Sequence, residues 1–256
     1  MLKISIITVT YNSESTIAMT MESILSQTYS NIEYILIDGQ SKDNTIKIVK
    51  TYEDQFKGKM RWISEPDKGI YDAMNKGICM ASGDIIGILN SDDIYVDKYV
   101  IQDIVQAFEK YPIECLYGNL YFVHNNNMNK IIRTWEGSQY IPGSFSKGWH
   151  PAHPTFYTKK QCYLKYGLYD CSIKVSADFE LMLRFLEKHH ISNLFLNRYF
   201  IKMRIGGEST GSLKKIIIGN YNIIKAFHKN GINVSLFYPI KRIFPKIINR
   251  IKHIIN

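Results

Sequence analysis

The sequence predicts an α/β fold: a mainly parallel central sheet flanked by helices, followed by a basic helical tail. Three observations carry this prediction. Short β-branched apolar runs alternate with amphipathic stretches over the first 110 residues, the connections between them are brief, and polar clusters recur where the apolar runs end.

Lys3–Thr10 (K-I-S-I-I-T-V-T) is too short and too β-branched for a helix and reads as a buried strand rather than a secretory leader. A helix is expected from Ser15 to Gln27, with Ile17, Met21, Ile24 and Leu25 at helical spacing. Glu33–Asp38 is a second strand, and Asp43 is placed to cap a helix running to Tyr52. Met60–Ser64 reads as strand, Gly69–Met80 as helix, Asp84–Leu89 as strand and Val96–Lys110 as helix. Further on, Cys115–Phe122 and Lys130–Trp135 read as strands around the turn Asn125-Asn126-Asn127. Glu136–Pro154 is a long loop of the kind that carries binding residues. Helices are predicted at Lys159–Tyr166, Ala177–Lys188 and Leu213–Lys229.

With 256 residues, 45% hydrophobic and 21% charged, the chain can bury a sizeable core, and disorder is not the expectation. No apolar run approaches the roughly 18–20 residues that cross a membrane as a helix. The four cysteines match no zinc or redox spacing and read as reduced thiols of a cytosolic protein. The net charge of +9 is unevenly placed: residues 1–201 carry 21 Lys/Arg against 22 Asp/Glu, whereas residues 202–256 carry 11 against one. The basic end implies an anionic partner.

In parallel sheets ligands bind beyond the carboxyl ends of the strands. Here those ends are Thr10-Tyr11-Asn12, Asp38, Glu65-Pro66-Asp67 and Asn90-Ser91-Asp92-Asp93. Four polar clusters at one edge make a candidate site. Asp38 suits a hydrogen bond to a base or ribose, and Tyr11 offers a ring for stacking. Gly39 and Asp43 can equally be turn and capping residues. The acidic run after the apolar fourth strand suits Mg²⁺ or Mn²⁺ bridging a diphosphate. Read structurally, it is a solvated turn in which Asp93 caps the next helix. In Ser176–Arg184, Phe179, Met182, Leu183 and Leu186 form a buried helical stripe. Asp178 and Glu180 lie two apart and cannot share a face, so at most one points into a site and the other faces solvent. A carboxylate there can take a proton from a hydroxyl or merely complement the helix dipole.

Together these residues resemble the family 2 glycosyltransferases, from Ile4 to about Arg184. The resemblance is carried by T-V-T-Y-N at 8–12, D-G-Q-S-K-D-N-T at 38–45, S-E-P-D-K-G-I-Y-D-A-M-N-K-G at 64–77, A-S-G-D at 81–84 with L-N-S-D-D at 89–93, and S-A-D-F-E-L-M-L-R at 176–184. The third segment is similar to a signature of the bacterial cell-surface polysaccharide branch. The resemblance implies a GT-A fold with a nucleotide-sugar-binding half at 1–110, an acceptor-binding and catalytic-base half at 111–211, and a basic helical extension at 212–256. It implies that Thr10, Tyr11 and Asp38 hold the nucleoside, usually uridine, that Asp67, Asn75, Asn90 and Ser91 line the donor pocket, and that Asp92 binds Mn²⁺ or Mg²⁺. Asp178 becomes the base, and Asp93, Trp149 and His153 fall on the acceptor side. Asn90 replaces the first acid of the family's D-x-D, leaving Asp92 as the sole carboxylate on the cation. Ala177 replaces the acid that precedes the base in the E-D form. The implied reaction is one displacement that inverts the anomeric carbon, moving a sugar from a nucleotide diphosphate to a saccharide hydroxyl.

A dinucleotide-binding dehydrogenase or a nucleotidyltransferase needs a glycine-rich turn after the first strand, and T-V-T-Y-N-S-E has none. A nucleotide- or nucleic-acid-binding module without transferase activity is the remaining alternative. No recognised nucleic-acid motif interleaves aromatics with the basic tail, so nucleic acid is not expected as a partner. The sequence assigns no oligomeric state. In the tail, Ile240, Ile243, Phe244, Ile247, Ile248, Ile251, Ile254 and Ile255 form an apolar stripe among Lys241, Arg242, Lys246, Arg250 and Lys252. Residues 240–256 therefore read as a helix lying on an anionic membrane surface. That suits a peripheral enzyme on the inner face of the cell membrane with a lipid-linked acceptor. The competing reading is a helix docked on the catalytic domain.

Overall fold

The computed structural model describes residues 1–205, 213–235 and 238. Nine strands, β1 (Ile4–Thr10), β2 (Ile32–Asp38), β3 (Met60–Ser64), β4 (Ile85–Ile88), β5 (Ile94–Tyr95), β6 (Cys115–His124), β7 (Asn127–Trp135), β8 (Tyr157–Lys159) and β9 (Asn193–Arg204), form one sheet. Its order is β3-β2-β1-β4-β8-β6-β9-β5, with β7 pairing β6. Pairing is parallel from β3 through β4 and between β6 and β9; the other pairs are antiparallel.

The helices are α1 (Ile17–Leu25), α2 (Thr45–Glu53), α3 (Ile70–Met80), α4 (Val100–Lys110), α5 (Lys160–Tyr166), α6 (Ala177–Leu183) and α7 (Leu213–Lys229). β1 is buried along its whole length, and its pleat sorts its side chains between two cores. Ile4 and Ile6 join Ile17, Met21, Val49 and Ile104 of α1, α2 and α4. Ile7 and Val9 join Met74, Phe179, Leu183 and Phe227 of α3, α6 and α7. Burial on both faces explains why the strand reads as a continuous apolar run. The sheet and helices pack closely where α3 crosses it: a Cβ at Gly77 would come within 2.4 Å of Ile7 Cγ2.

Several elements differ from expectation. β5, β8 and β9 were not legible as strands. β9 runs between half-buried positions with no clean alternation, and its pairing with β6 and β5 defines it. α4 begins at Val100 rather than Val96, because Ile94–Tyr95 pairs with β9 and the Val96 N–H donates to Phe200 O at 2.9 Å. The helix predicted from Lys159 begins at Lys160, after β8. Asp43 serves the start of α2 from one position before the cap: it accepts from the Thr45 N–H at 3.0 Å and from Thr45 Oγ1 at 2.5 Å.

Glu180, expected to face solvent if Asp178 faces a site, is 2% exposed. Arg184 meets both its oxygens, at 3.0 and 3.1 Å, and Asn230 Nδ2 donates to Oε1 at 3.0 Å. A buried carboxylate is tolerated because its charge is paired and its lone pairs are filled. Arg184 also donates to the carbonyls of Tyr166, Gly167 and Leu168, closing the end of α5. α7 matches its predicted span and is built into the core through Ile223, Ala226 and Phe227. Residues 240–256, to which membrane binding was assigned, lie outside the described residues.

Candidate active site

β1, β2 and β3 end in register, Thr10 opposite Asp38 and Asp38 opposite Ser64. Asp38 is fully buried. Its Oδ2 accepts from the Ser41 N–H at 2.9 Å and from Ser64 Oγ at 2.6 Å, and its Oδ1 accepts from the Ser41 hydroxyl. The carboxylate thus orders the loop after β2. That loop lays Gly39 against its neighbours: a Cβ there would sit 2.5 Å from Asp67 Oδ2 and 3.5 Å from Tyr11 Cδ2. Glycine is needed because three segments converge. Tyr11, 58% exposed, leaves its ring open for stacking, and the Thr10 hydroxyl is buried with no partner among the described residues. Asp67 accepts from the Gly69 N–H at 2.8 Å, which bends the chain into α3.

Asn75, expected in the donor pocket, instead pairs with the Tyr169 backbone in both directions at 2.9 Å and donates to Cys171 Sγ at 3.2 Å. It ties α3 to the segment that leads into α6. Its amide is spent on positioning.

At the end of β4, Ser91 Oγ lies 2.9 Å from Ser13 Oγ, joining this turn to the end of β1. Asp93 is fully buried and cannot face an acceptor, which corrects its expected place. Burial and the neighbouring Asp92 push its carboxyl well above the usual range. Its Oδ2 pairs with Asn90 Nδ2 at 3.1 Å; Asp93 Oδ1 and Asn90 Oδ1 are buried without partners among the described residues. Burial also raises the Asp92 carboxyl, opposed by Arg204 and His153. Arg204, from the end of β9, donates from Nε to the Asp92 carbonyl at 3.1 Å.

Among the described residues no three His, Cys, Asp or Glu side chains converge as a complete metal cage. Asp92 and the orphaned Asn90 carboxamide oxygen still fit Mg²⁺ or Mn²⁺, ions that keep several waters and take one or two carboxylates plus substrate phosphates. Asn90 in place of an acid leaves this site with one fewer negative charge.

Asp178 is the second residue of α6, which begins directly after Ser176, a non-glycine residue held at φ +72°. Its carboxylate is gripped on both oxygens: Tyr71 OH donates to Oδ1 at 3.1 Å, and His153 Nδ1 lies 3.1 Å from Oδ2. Burial alone would raise this carboxyl, but His153, the Tyr71 hydroxyl and His150 together hold it below the usual carboxylate range. It is therefore ionised at neutral pH, the state a base requires. The Tyr71 phenol is pushed well up by burial and by Asp178, so it stays a donor. His153 faces Asp178, and the same imidazole acts to lower both the Asp178 and the Asp92 carboxyls. Trp149 belongs to an aromatic layer beneath, packing edge-on to Tyr117 at 6.0 Å and Phe145 at 5.9 Å.

Tyr71, Arg204, Ser13 and His150 are site neighbours not singled out from sequence. Tyr71 lies within the quoted 64–77 segment, so a signal was present. Arg204 carried none, since β9 itself was not legible.

A parallel half-sheet with acids at its carboxyl edge, facing an ionised aspartate from a later helix, defines a nucleotide-sugar transferase of the GT-A class. The chain belongs to Glycosyl transferase family 2, whose sequence profile matches residues 5–174. An uncharacterised glycosyltransferase of Mycobacterium tuberculosis is 32% identical over 190 residues, covering 71% of this chain and 68% of that protein. The Escherichia coli UDP-Glc:α-D-GlcNAc-diphosphoundecaprenol β-1,3-glucosyltransferase WfgD is 35% identical over 127 residues, 49% of this chain and 48% of that protein. Among solved structures, S. aureus TarS 1–349 in complex with UDP-GlcNAc superposes with TM-score 0.67 at 17% identity, covering 94% of this chain and 69% of that one. Against the longer TarS chain the match spans 41% of its length. The mannosyltransferase PcManGT of Pyrobaculum calidifontis, solved with GDP-Man and Mn²⁺, gives 0.65 at 16% identity, covering 94% and 68%. These structural likenesses establish the fold. Among the described residues no helix is long and apolar enough to cross a membrane.

Proposed function

We propose that this glycosyltransferase moves a sugar from a UDP-sugar to a hydroxyl of a lipid-linked saccharide, inverting the anomeric carbon, in cell-surface polysaccharide or glycolipid synthesis. The observation that carries the reading is the ionised Asp178, held by Tyr71 and His153. Such a carboxylate can take the acceptor's proton as its oxygen attacks. One base and one in-line displacement give inversion. Tyr11, with Asp67 beside it, supplies a surface for the nucleoside, and the buried Asp38 supports it from below. Asp92, with Asn90 beside it, would hold Mn²⁺ or Mg²⁺, which supplies charge neutralisation to the departing diphosphate. The UDP donor and lipid-linked acceptor named for WfgD, the UDP-GlcNAc bound to TarS and the Mn²⁺ bound to PcManGT support these assignments.

Thermal unfolding with a panel of nucleotide sugars and Mn²⁺ tests the donor class. A ligand present at 100 times its dissociation constant stabilises the native state by about 2.7 kcal/mol, so UDP and its sugars should raise Tm by several degrees. A shift with GDP- or TDP-sugars but none with UDP would overturn the uridine assignment.

We further propose that residues 240–256 bind the anionic inner face of the cell membrane. Ile217 and Tyr221 on α7, 69% and 68% exposed, add apolar surface upstream of that segment. The full chain is expected to co-sediment with anionic vesicles, less so at high salt, while a chain ending after Gly231 stays in solution and still binds donor. Equal partitioning of the two forms would remove the membrane assignment.

A further inference from the structure

Beside the base, but outside the donor crevice just described, a cavity of about 110 Å³ opens between the first turn of α3 and the turn at 171–174. Lys68 and Tyr71 line one wall, Cys171 and Lys174 the other. We propose that this cavity binds a phosphate group of the acceptor, so that the enzyme selects saccharides carried on a phosphate or diphosphate. The proposal rests on the transferase reading above and adds the part of the acceptor that is recognised.

Three features point this way. First, the cavity is one tyrosine ring from the reacting position, because the Tyr71 that lines it also donates its hydroxyl to Asp178 Oδ1 at 3.1 Å. A saccharide whose hydroxyl meets Asp178 can place a substituent on its far side there. Second, the ammonium groups of Lys68 and Lys174 have no anionic partner among the described residues. The one carboxylate in the lining, Asp72, is already engaged: its Oδ2 accepts from the Lys68 backbone N–H at 3.0 Å and lies 3.9 Å from Lys76 Nζ. Two point charges lining one cavity suit a phosphate, which offers separate oxygens and up to two negative charges. Third, the cavity meets the Tyr71 side of Asp178, and Asp92 is not among the residues that line it. A donor diphosphate at Asp92 and an acceptor phosphate at the lysines would therefore be held by separate residues and not compete.

The test uses the full chain and two acceptors that differ in one feature: a saccharide joined through diphosphate to a short alkyl chain, and the same saccharide as a neutral alkyl glycoside. With UDP present, calorimetric titration should give the diphosphate form at least about tenfold tighter binding, the size expected for charge-assisted bonds to one lysine. The paired substitutions Lys68→Ala and Lys174→Ala should remove that preference. They should leave affinity for UDP, donor hydrolysis without acceptor and Tm unchanged. Replacing each lysine by arginine should restore part of the preference. Equal binding of the two acceptors to the wild-type chain would overturn the proposal. So would a double variant that keeps the preference, or one that loses UDP affinity instead, since the cavity would then serve the donor. Failure of the wild-type chain to transfer sugar to either acceptor, with selective and lysine-dependent binding intact, would count against the transferase reading alone.

Discussion

Asp178→Asn should abolish sugar transfer while leaving affinity for the nucleotide sugar within about twofold of wild type. The substitution keeps the side chain's shape and removes its basicity, and a positioned general base contributes about 10²–10⁴-fold to rate. Asp178 accepts hydrogen bonds from Tyr71 and His153, and the amide of an asparagine can preserve one of them, so the local fold should hold. Glu180→Gln provides the contrast. Glu180 is buried against Arg184 and Asn230, so its change should lower Tm while sparing the rate of the molecules that remain folded. The pH profile gives a second readout. His153, Tyr71 and His150 keep the Asp178 carboxyl below the usual range, so the protonation that disables it falls at more acid pH than an ordinary aspartate. Activity should persist down to the lower edge of the carboxylate range, and any limb near neutrality belongs to another group. An active Asp178→Asn enzyme, or loss of turnover in Glu180→Gln at full stability, would move the base elsewhere.

Removal of divalent cations should have an effect of similar size. A chelator should stop turnover, and Mn²⁺ or Mg²⁺ should restore it, because the cation stabilises the charge gathering on the departing diphosphate. Asp92→Ala should lower kcat/KM by about 10²- to 10³-fold, equivalent to losing several kcal/mol of transition-state stabilisation. Asp93 is fully buried beside Asp92, which pushes its carboxyl well up, and Asn90 stands where a second acid would help. Asn90→Asp should therefore tighten metal binding, read as a lower Mn²⁺ concentration for half-maximal activity. Full turnover in excess chelator would remove the metal from the mechanism.

β1, β2, β3 and α7 were legible in the sequence at or within one residue of their observed bounds, because burial on both faces or a clear helical stripe leaves an unambiguous local pattern. The gathering of strand-end clusters at one sheet edge followed from parallel topology alone. β9 was not legible. Its twelve residues are mostly half-buried and owe their conformation to pairing with β6, a partner about eighty residues away. Arg204 was lost with it, although its guanidinium braces the Asp92 carbonyl.

What the sequence by itself determined is the chemistry available: acids at the ends of apolar strands, an aspartate opening a buried helix, and a dense set of segments resembling one transferase family. Tertiary structure alone decided which of those groups remain free to act. Asp38, Asn75 and Glu180 are the kinds of residue a site uses, yet their polar atoms are taken up inside the fold by Ser41, Tyr169 and Arg184. Asp178 is ionised and accessible, with its side chain 24% exposed. The physical reason is that a buried polar group must be hydrogen-bonded, and its partners come from distant segments. Spacing along the chain can nominate a carboxylate, but the donors that claim it or leave it free are assembled only by folding.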